Sequence, residues 1–246
     1  MTTASDTVRW HDVECAGYAA DLALWEELAG EAGGPVLELG CGTGRVALHL
    51  ARGSHHVVGV DTEAALVAEL NARAEAEDLP ARAKRANITE LDLGRAFPLA
   101  IAPMQMIQLL PDAAARRAAL LRVAAHLAPG GTFAAALVED RHIPAGDSAA
   151  DAAPLPDVRE HDGWVFSSLP CSVRRDGDRV AIERLRQAIS PDGEISEQVD
   201  ITHLSSLSAA GLEAEGRNAG LRALGTRDVV ATHSHVGSTV LVMEAV

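Results

Sequence analysis

Residues 35–61 read Pro-Val-Leu-Glu-Leu-Gly-Cys-Gly-Thr-Gly-Arg-Val-Ala-Leu-His-Leu-Ala-Arg-Gly-Ser-His-His-Val-Val-Gly-Val-Asp. The apolar run Val36 to Leu39 has the length and composition of a buried strand. Gly40, Gly42 and Gly44 follow at every second position, where the absence of Cβ lets the backbone turn sharply and approach a ligand. Arg45 to Arg52 then reads as a helix whose free N–H groups point back into that turn. A second apolar strand, His56 to Val60, ends on Asp61, placed to accept hydrogen bonds from ribose hydroxyls. The pattern is that of a nucleoside-binding βαβ unit.

Two classes of nucleoside cofactor use such a unit. Gly42-Thr-Gly44-Arg-Val-Ala47 fits the dinucleotide fingerprint G-x-G-x-x-G/A. Glu38, two residues ahead of Gly40, decides between them, because a carboxylate there repels a pyrophosphate and attracts an amino-acid ammonium. Leu37-Glu38-Leu39-Gly40-Cys41-Gly42-Thr43-Gly44 resembles, without a gap, the acidic-x-Gly-x-Gly-x-Gly motif of class I S-adenosylmethionine-dependent methyltransferases of the bacterial small-molecule type. Pro129-Gly130-Gly131 before an apolar strand, Thr132 to Val138, resembles a second hallmark of that family. The resemblance implies an α/β fold: a Rossmann-like, doubly wound, seven-stranded sheet with the last strand antiparallel, here with an inserted antiparallel β-meander.

Composition agrees with one such domain. The chain has 246 residues, enough for a single core with an insertion, and is 48% hydrophobic. A net charge of −14, with Lys84 the only lysine, argues against a nucleic-acid partner, which needs a positive surface. The position where nucleic-acid adenine methyltransferases carry an Asn/Asp-Pro-Pro-aromatic motif holds Ile101-Ala-Pro-Met104 instead. Cys15, Cys41 and Cys171 have no paired spacing, so neither a disulfide framework nor a zinc site is expected. With no apolar leader and no run of about 18 apolar residues, a cytoplasmic protein without a membrane partner is expected.

Along the chain, residues 1–14 are polar, with Trp10-His11-Asp12-Val13-Glu14 the one dense cluster. Tyr18, Leu22, Trp25, Leu28 and Ala32 recur at helical spacing until Gly33-Gly34-Pro35. The resemblance makes residues 1–34 a helical lid over the cofactor. Helices are expected from Thr62 to Ala76, from Asp112 to about Leu127 and from Ser208 to Ala219. Strands are expected at Ala81 to Ala86, Phe97 to Pro103, Thr226 to Thr232 and Ser238 to Glu244. Residues 139–162 read as irregular, and a three-stranded meander follows with turns at Asp176-Gly177 and Pro191-Asp192-Gly193. In this family similar insertions cover the acceptor pocket, which the resemblance implies for residues 155–204; the alternative is a meander that only extends the sheet or makes a dimer contact.

Ligands of open α/β sheets bind beyond the carboxyl ends of the parallel strands, which sorts the polar residues. The resemblance gives Glu38 the methionine ammonium, Gly40, Cys41, Gly42 and Gly44 the backbone cradle, and Asp61 with Thr62 the ribose. Asn87 stands where the family often has an acid bonding the adenine amino group, with Ile88 stacking on the ring, and Tyr18 and Met104 complete the cofactor set. Histidine titrates near neutral pH and suits proton removal from an acceptor. His235, His142 and His11 are the candidate bases, in that order. His233 and His235 lie two apart, but no third ligand accompanies them and no metal is expected. The expected activity is methyl transfer from S-adenosylmethionine to an oxygen, nitrogen or carbon of a small molecule, leaving S-adenosylhomocysteine, by a monomer or homodimer. The rivals are other chemistry on the same fold, a cofactor sensor, and a nicotinamide-dependent oxidoreductase.

Overall fold

The computed structural model describes residues 4–143, 155–232 and 235–246. Two helices, α1 (Ala4–Cys15) and α2 (Leu22–Ala32), precede the strand β1 (Val36–Leu39). Then come α3 (Arg45–Arg52), β2 (Val57–Asp61), α4 (Ala64–Ala76), β3 (Ala81–Arg85), β4 (Phe97–Ala102), α5 (Ala113–His126) and β5 (Leu127–Leu137). The insertion supplies β6 (Asp157–His161), β7 (Trp164–Asp176), β8 (Arg179–Ile189) and β9 (Ile195–Ser205). The chain closes with α6 (Ala209–Arg217), β10 (Leu221–Val229) and β11 (Ser238–Ala245).

The main sheet has the order β10-β11-β5-β4-β1-β2-β3, with β11 antiparallel to both neighbours, as the sequence led us to expect. β1 sits centrally between β2 and β4, so the strand order reverses there and opens a crevice at its carboxyl end. All four β1 residues are buried, and alternation divides them. Leu37 and Leu39 enter the core that holds Phe97, Leu120 and Phe133. Val36 enters the opposite core, built on Trp25, Leu50 and Leu70, and Glu38 points the same way. Trp25 and Phe97 are fully buried, so truncating either to alanine costs about 3–5 kcal/mol.

The structure corrects several boundaries. Residues 4–15 form a helix where only a polar segment was read, and Tyr18 lies in the turn before α2 rather than on the helix. The insertion has four strands, not three: β6 lies within the stretch read as irregular. Its residues are mostly exposed, so it carries no apolar alternation, and it joins β7 through Asp162-Gly163, both at positive φ (51° and 76°), the signature of a tight hairpin. β10 begins at Leu221, five residues before the expected Thr226, because its middle is solvent-facing. β5 begins at Leu127, ahead of Pro129-Gly130-Gly131, and the register against β4 shifts between Phe97 and Leu99.

Candidate functional site

A cavity of about 540 Å³ occupies the crevice beyond β1. Its floor is Glu38, Gly40 and Cys41 from β1, with Asp61 and Thr62 from β2. Asn87 and Ile88 after β3, and Pro103 to Met106 after β4, form two sides. α1 contributes His11, Glu14 and Cys15, while Ile182, Arg184, Thr202 and Leu204 from β8 and β9 close the top. The cofactor candidates Glu38, Gly40, Cys41, Asp61, Thr62, Asn87, Ile88 and Met104 therefore converge, and so does His11.

The glycine turn is shaped by what lies against it. Gly42, at φ 52°, donates its N–H to Asp61 Oδ2 over 2.9 Å, and a Cβ there would stand 2.2 Å from His11 Nε2. Gly40, at φ 66°, is pressed in the same way by Met106, 2.5 Å from where its Cβ would be. Asp61 Oδ1 accepts from the Glu63 N–H at 3.0 Å, and each oxygen keeps a lone pair for a further donor. Asn87 Oδ1 accepts from Thr89 N–H at 3.0 Å and caps the short turn 88–90.

Glu38 is the electrostatic centre of the site. It is buried, takes a backbone hydrogen bond from Ala47, and its Oε2 has no partner. Burial pushes its carboxyl up to about 8, only partly offset by the nearby Arg45. Arg45 is itself held by Asp21 through Nη2–Oδ2 at 2.8 Å and Nη1–Oδ1 at 2.5 Å, while Trp25 Nε1 donates to Asp21 at 2.8 Å. An orphaned, buried carboxyl oxygen in a ligand-sized cavity is the complement of a cationic donor.

α1 is fastened on both sides. Asp12 accepts from Arg73 of α4 and, at 2.7 Å, from Thr43 Oγ1 in the glycine turn. Burial opposes ionisation of Asp12, but these bonds prevail and hold its carboxyl below the usual range. Glu14 accepts from Arg186 of β8 at 2.7 and 2.8 Å and from Ser168 of β7 at 2.8 Å, which likewise outweighs its burial. Because Thr43 has one hydroxyl proton and gives it to the carboxylate, His11 Nδ1, 3.2 Å from Thr43 Oγ1, must be the donor of that contact. His11 is thus the Nδ1–H tautomer with Nε2 unprotonated. Burial lowers its pKa below the usual 6.5, against the pull of Asp12 and Asp61, so the ring is neutral at pH 7.

The other named residues lie outside the cavity wall. The Tyr18 ring packs at 4.7 Å from the His235 ring and under the Arg45 guanidinium. His142 Nδ1 accepts from the Glu139 N–H at 3.0 Å, capping its own turn, and Glu139 is tied to Ala209 and Thr239. Gly44 starts α3 at φ 97° and lies against Leu48 and Leu70. His233 falls outside the described residues. Asp21, Arg45, Thr43, Arg73, Arg184 and Arg186 were not singled out from the sequence. Arg184 and Arg186 did carry a signal: two residues apart on a strand, they must share a face. No group of three metal-binding side chains occurs among the described residues, nor any helix long and apolar enough to cross a membrane.

Residues 36–131, which hold the glycine turn, Asp61 and Asn87, match the family described as a methyltransferase domain. The whole chain shares its architecture with solved structures. The sugar N-methyltransferase KedS8 from Streptoalloteichus sp ATCC 53650 superposes with a TM-score of 0.77 at 20% identity, covering 100% of this chain and 94% of that one. CalS10, an amino pentose methyltransferase from Micromonospora echinaspora, gives 0.74 at 19% identity, covering 97% of each chain. The CcbJ methyltransferase from Streptomyces caelestis gives 0.72 at 22% identity, covering 99% and 98%. At such identities the likeness establishes the fold of this chain alone, insertion included. No curated protein matches the sequence.

Proposed function

We propose that this methyltransferase transfers a methyl group from S-adenosylmethionine to an amine nitrogen of a small, sugar-like acceptor. The observation that carries the donor is the partnerless Glu38 Oε2, which fits an amino-acid ammonium. Asp61 fits the ribose hydroxyls, and the glycine turn leaves the backbone open to close approach. When bound, S-adenosylmethionine supplies an electrophilic methyl group on a sulfonium sulfur.

The chain's own task is to align the acceptor and keep water out. Ile182, Thr202 and Leu204 above, with Leu109 and Leu110 beside them, give the acceptor end a mixed apolar and hydroxyl wall. A volume of about 540 Å³ suits a cofactor with a small molecule, not a polymer. The amine acceptor is favoured by KedS8 and CalS10, structural neighbours described as acting on sugar nitrogen and on an amino pentose. Attack by nitrogen forms the carbon–nitrogen bond as the carbon–sulfur bond breaks, and the nitrogen then releases a proton. His11 Nε2 is the acceptor we assign to that proton. Glu14 is unsuited, since hydrogen bonds from Arg186 and Ser168 already engage its oxygens. The cytoplasm is the proposed compartment, which three unbridged cysteines support.

Incubation with methyl-labelled S-adenosylmethionine and paired amino and hydroxy sugars tests this reading. Label on the amino member alone supports it, label on the hydroxy member refutes the nitrogen assignment, and cofactor binding without transfer refutes the enzymatic one.

A further inference from the structure

Among the described residues, five that are not glycine have positive φ. Ser54, Asp78 and Asp162 are short and polar, and they follow the ends of α3 and α4 or turn the β6–β7 hairpin, where that conformation is ordinary. Met104 and Gln105, at φ 47° and 58°, are long and consecutive, and both line the cavity. The Met106 N–H donates to the Pro103 carbonyl at 3.2 Å and closes the turn. Two successive positive φ values make the turn that joins antiparallel strands, normally filled by Asn, Asp or Gly. Here there is no hairpin to join, since β4 pairs with β1 and β5, both parallel to it. Such strain persists only where the surroundings fix it. Met106 is seated on Gly40, and Gln108 donates to the carbonyls of Val138 at 2.9 Å and Ser205 at 3.0 Å, so the turn is clamped from three sides. No described residue bonds the Gln105 carboxamide or the peptide between Met104 and Gln105.

We propose that Gln105 selects the acceptor by pairing its carboxamide with a vicinal amino alcohol, an inference that rests on the function proposed above. On that function the donor extends from Glu38 on β1 to Asp61 on β2 and Asn87 past β3, whereas β4 lies on the other side of β1. The turn after β4 is therefore left to the acceptor, beside Leu109 and Leu110. A carboxamide carries one acceptor and one donor group side by side, the complement of an amine with a neighbouring hydroxyl. Oε1 accepts an N–H of the amine, which leaves the nitrogen lone pair for the methyl group, and Nε2 donates to the hydroxyl. The clamped turn fixes the backbone that carries this pair before the acceptor arrives, so little ordering remains to be done on binding.

Kinetics on a vicinal amino sugar, and on its analogue lacking the neighbouring hydroxyl, test this. Glycine suits positive φ, so Gln105→Gly should unfold at the same or a higher urea concentration than the wild type and bind S-adenosylhomocysteine equally well. Its kcat/KM for the amino sugar should fall roughly 10-fold or more, the worth of one or two hydrogen bonds. The wild type should prefer the amino sugar to the analogue by a similar factor, and the variant should treat the two nearly alike. Gln105→Ala, which removes the carboxamide but keeps the strain, should lose the same preference. A wild type indifferent to the hydroxyl, a preference kept by either variant, or a Gln105→Gly protein that is destabilised or binds S-adenosylhomocysteine poorly would each overturn this proposal and leave the proposed function standing. A wild type that methylates no amino sugar overturns both.

Discussion

Glu38 makes the site's charge balance measurable. A carboxyl raised from 4.5 to about 8 by burial binds a proton in the folded, ligand-free protein that the unfolded chain has already released. More protons on the folded side means that stability is fullest below pH 4.5 and is lost as pH rises toward 8. The full difference corresponds to roughly 5 kcal/mol, an upper bound. At pH 7, one unit below its pKa of about 8, the carboxyl carries about 0.9 proton. Seating an ammonium against Oε2 restores the carboxylate and expels that proton. Titration calorimetry with S-adenosylhomocysteine, repeated in buffers of different ionisation enthalpy, should show release of between about half and one proton at pH 7. Glu38→Gln keeps the shape, abolishes the release, flattens the dependence of Tm on pH, and weakens binding by roughly 10- to 150-fold, the value of a hydrogen bond to a charged group. Buffer-independent enthalpy in the wild type, or equal proton release in the variant, would refute the assignment of Glu38 to the cofactor ammonium.

Asp21→Asn leaves Arg45 buried without its counter-charge and should cost about 3–5 kcal/mol in denaturant unfolding, with weaker cofactor binding because α3 starts at the glycine turn. Gly42→Ala drives a methyl group into the His11 ring and should weaken S-adenosylhomocysteine binding; His11→Ala in that background relieves the clash, so a double-mutant cycle by calorimetry should be strongly non-additive. His11→Gln should lower kcat by about 100-fold or more, the scale of general-base catalysis. Because burial keeps the His11 pKa of the free enzyme below 6.5, the acid limb of the kcat/KM profile should fall below that pH in the wild type and vanish in the variant.

What was legible in the sequence is what repeats an apolar period or demands a glycine. The strand–turn–helix from Val36, Asp61 at the end of β2 and the order of the main sheet all rest on such signals. α1 escaped because, among the described residues, Trp10 and Val13 are its only apolar buried ones and charges make up the rest of its inward side: Asp12 and Glu14 are half-buried against arginines 61 and 172 residues away, and no local pattern announces a partner so distant. β6 escaped because it is an edge with little apolar surface to alternate. Among the histidines, position beyond a parallel strand favoured His235 and His142, yet strand ends also carry structural caps. His142 became one, and His235 packs on Tyr18. His11, ranked last, reaches the cavity because a helix rather than a strand delivers it.

Asp12 and Glu14 stand two residues apart on α1, one anchored to a helix of the main sheet and the other to the inserted sheet. The helix cannot swing off the cavity without also tugging at the strands that close its top. On the proposed function, exchange of spent donor and departure of methylated product would share one barrier, and a turnover rate limited by that shared step would respond alike to weakening either anchor.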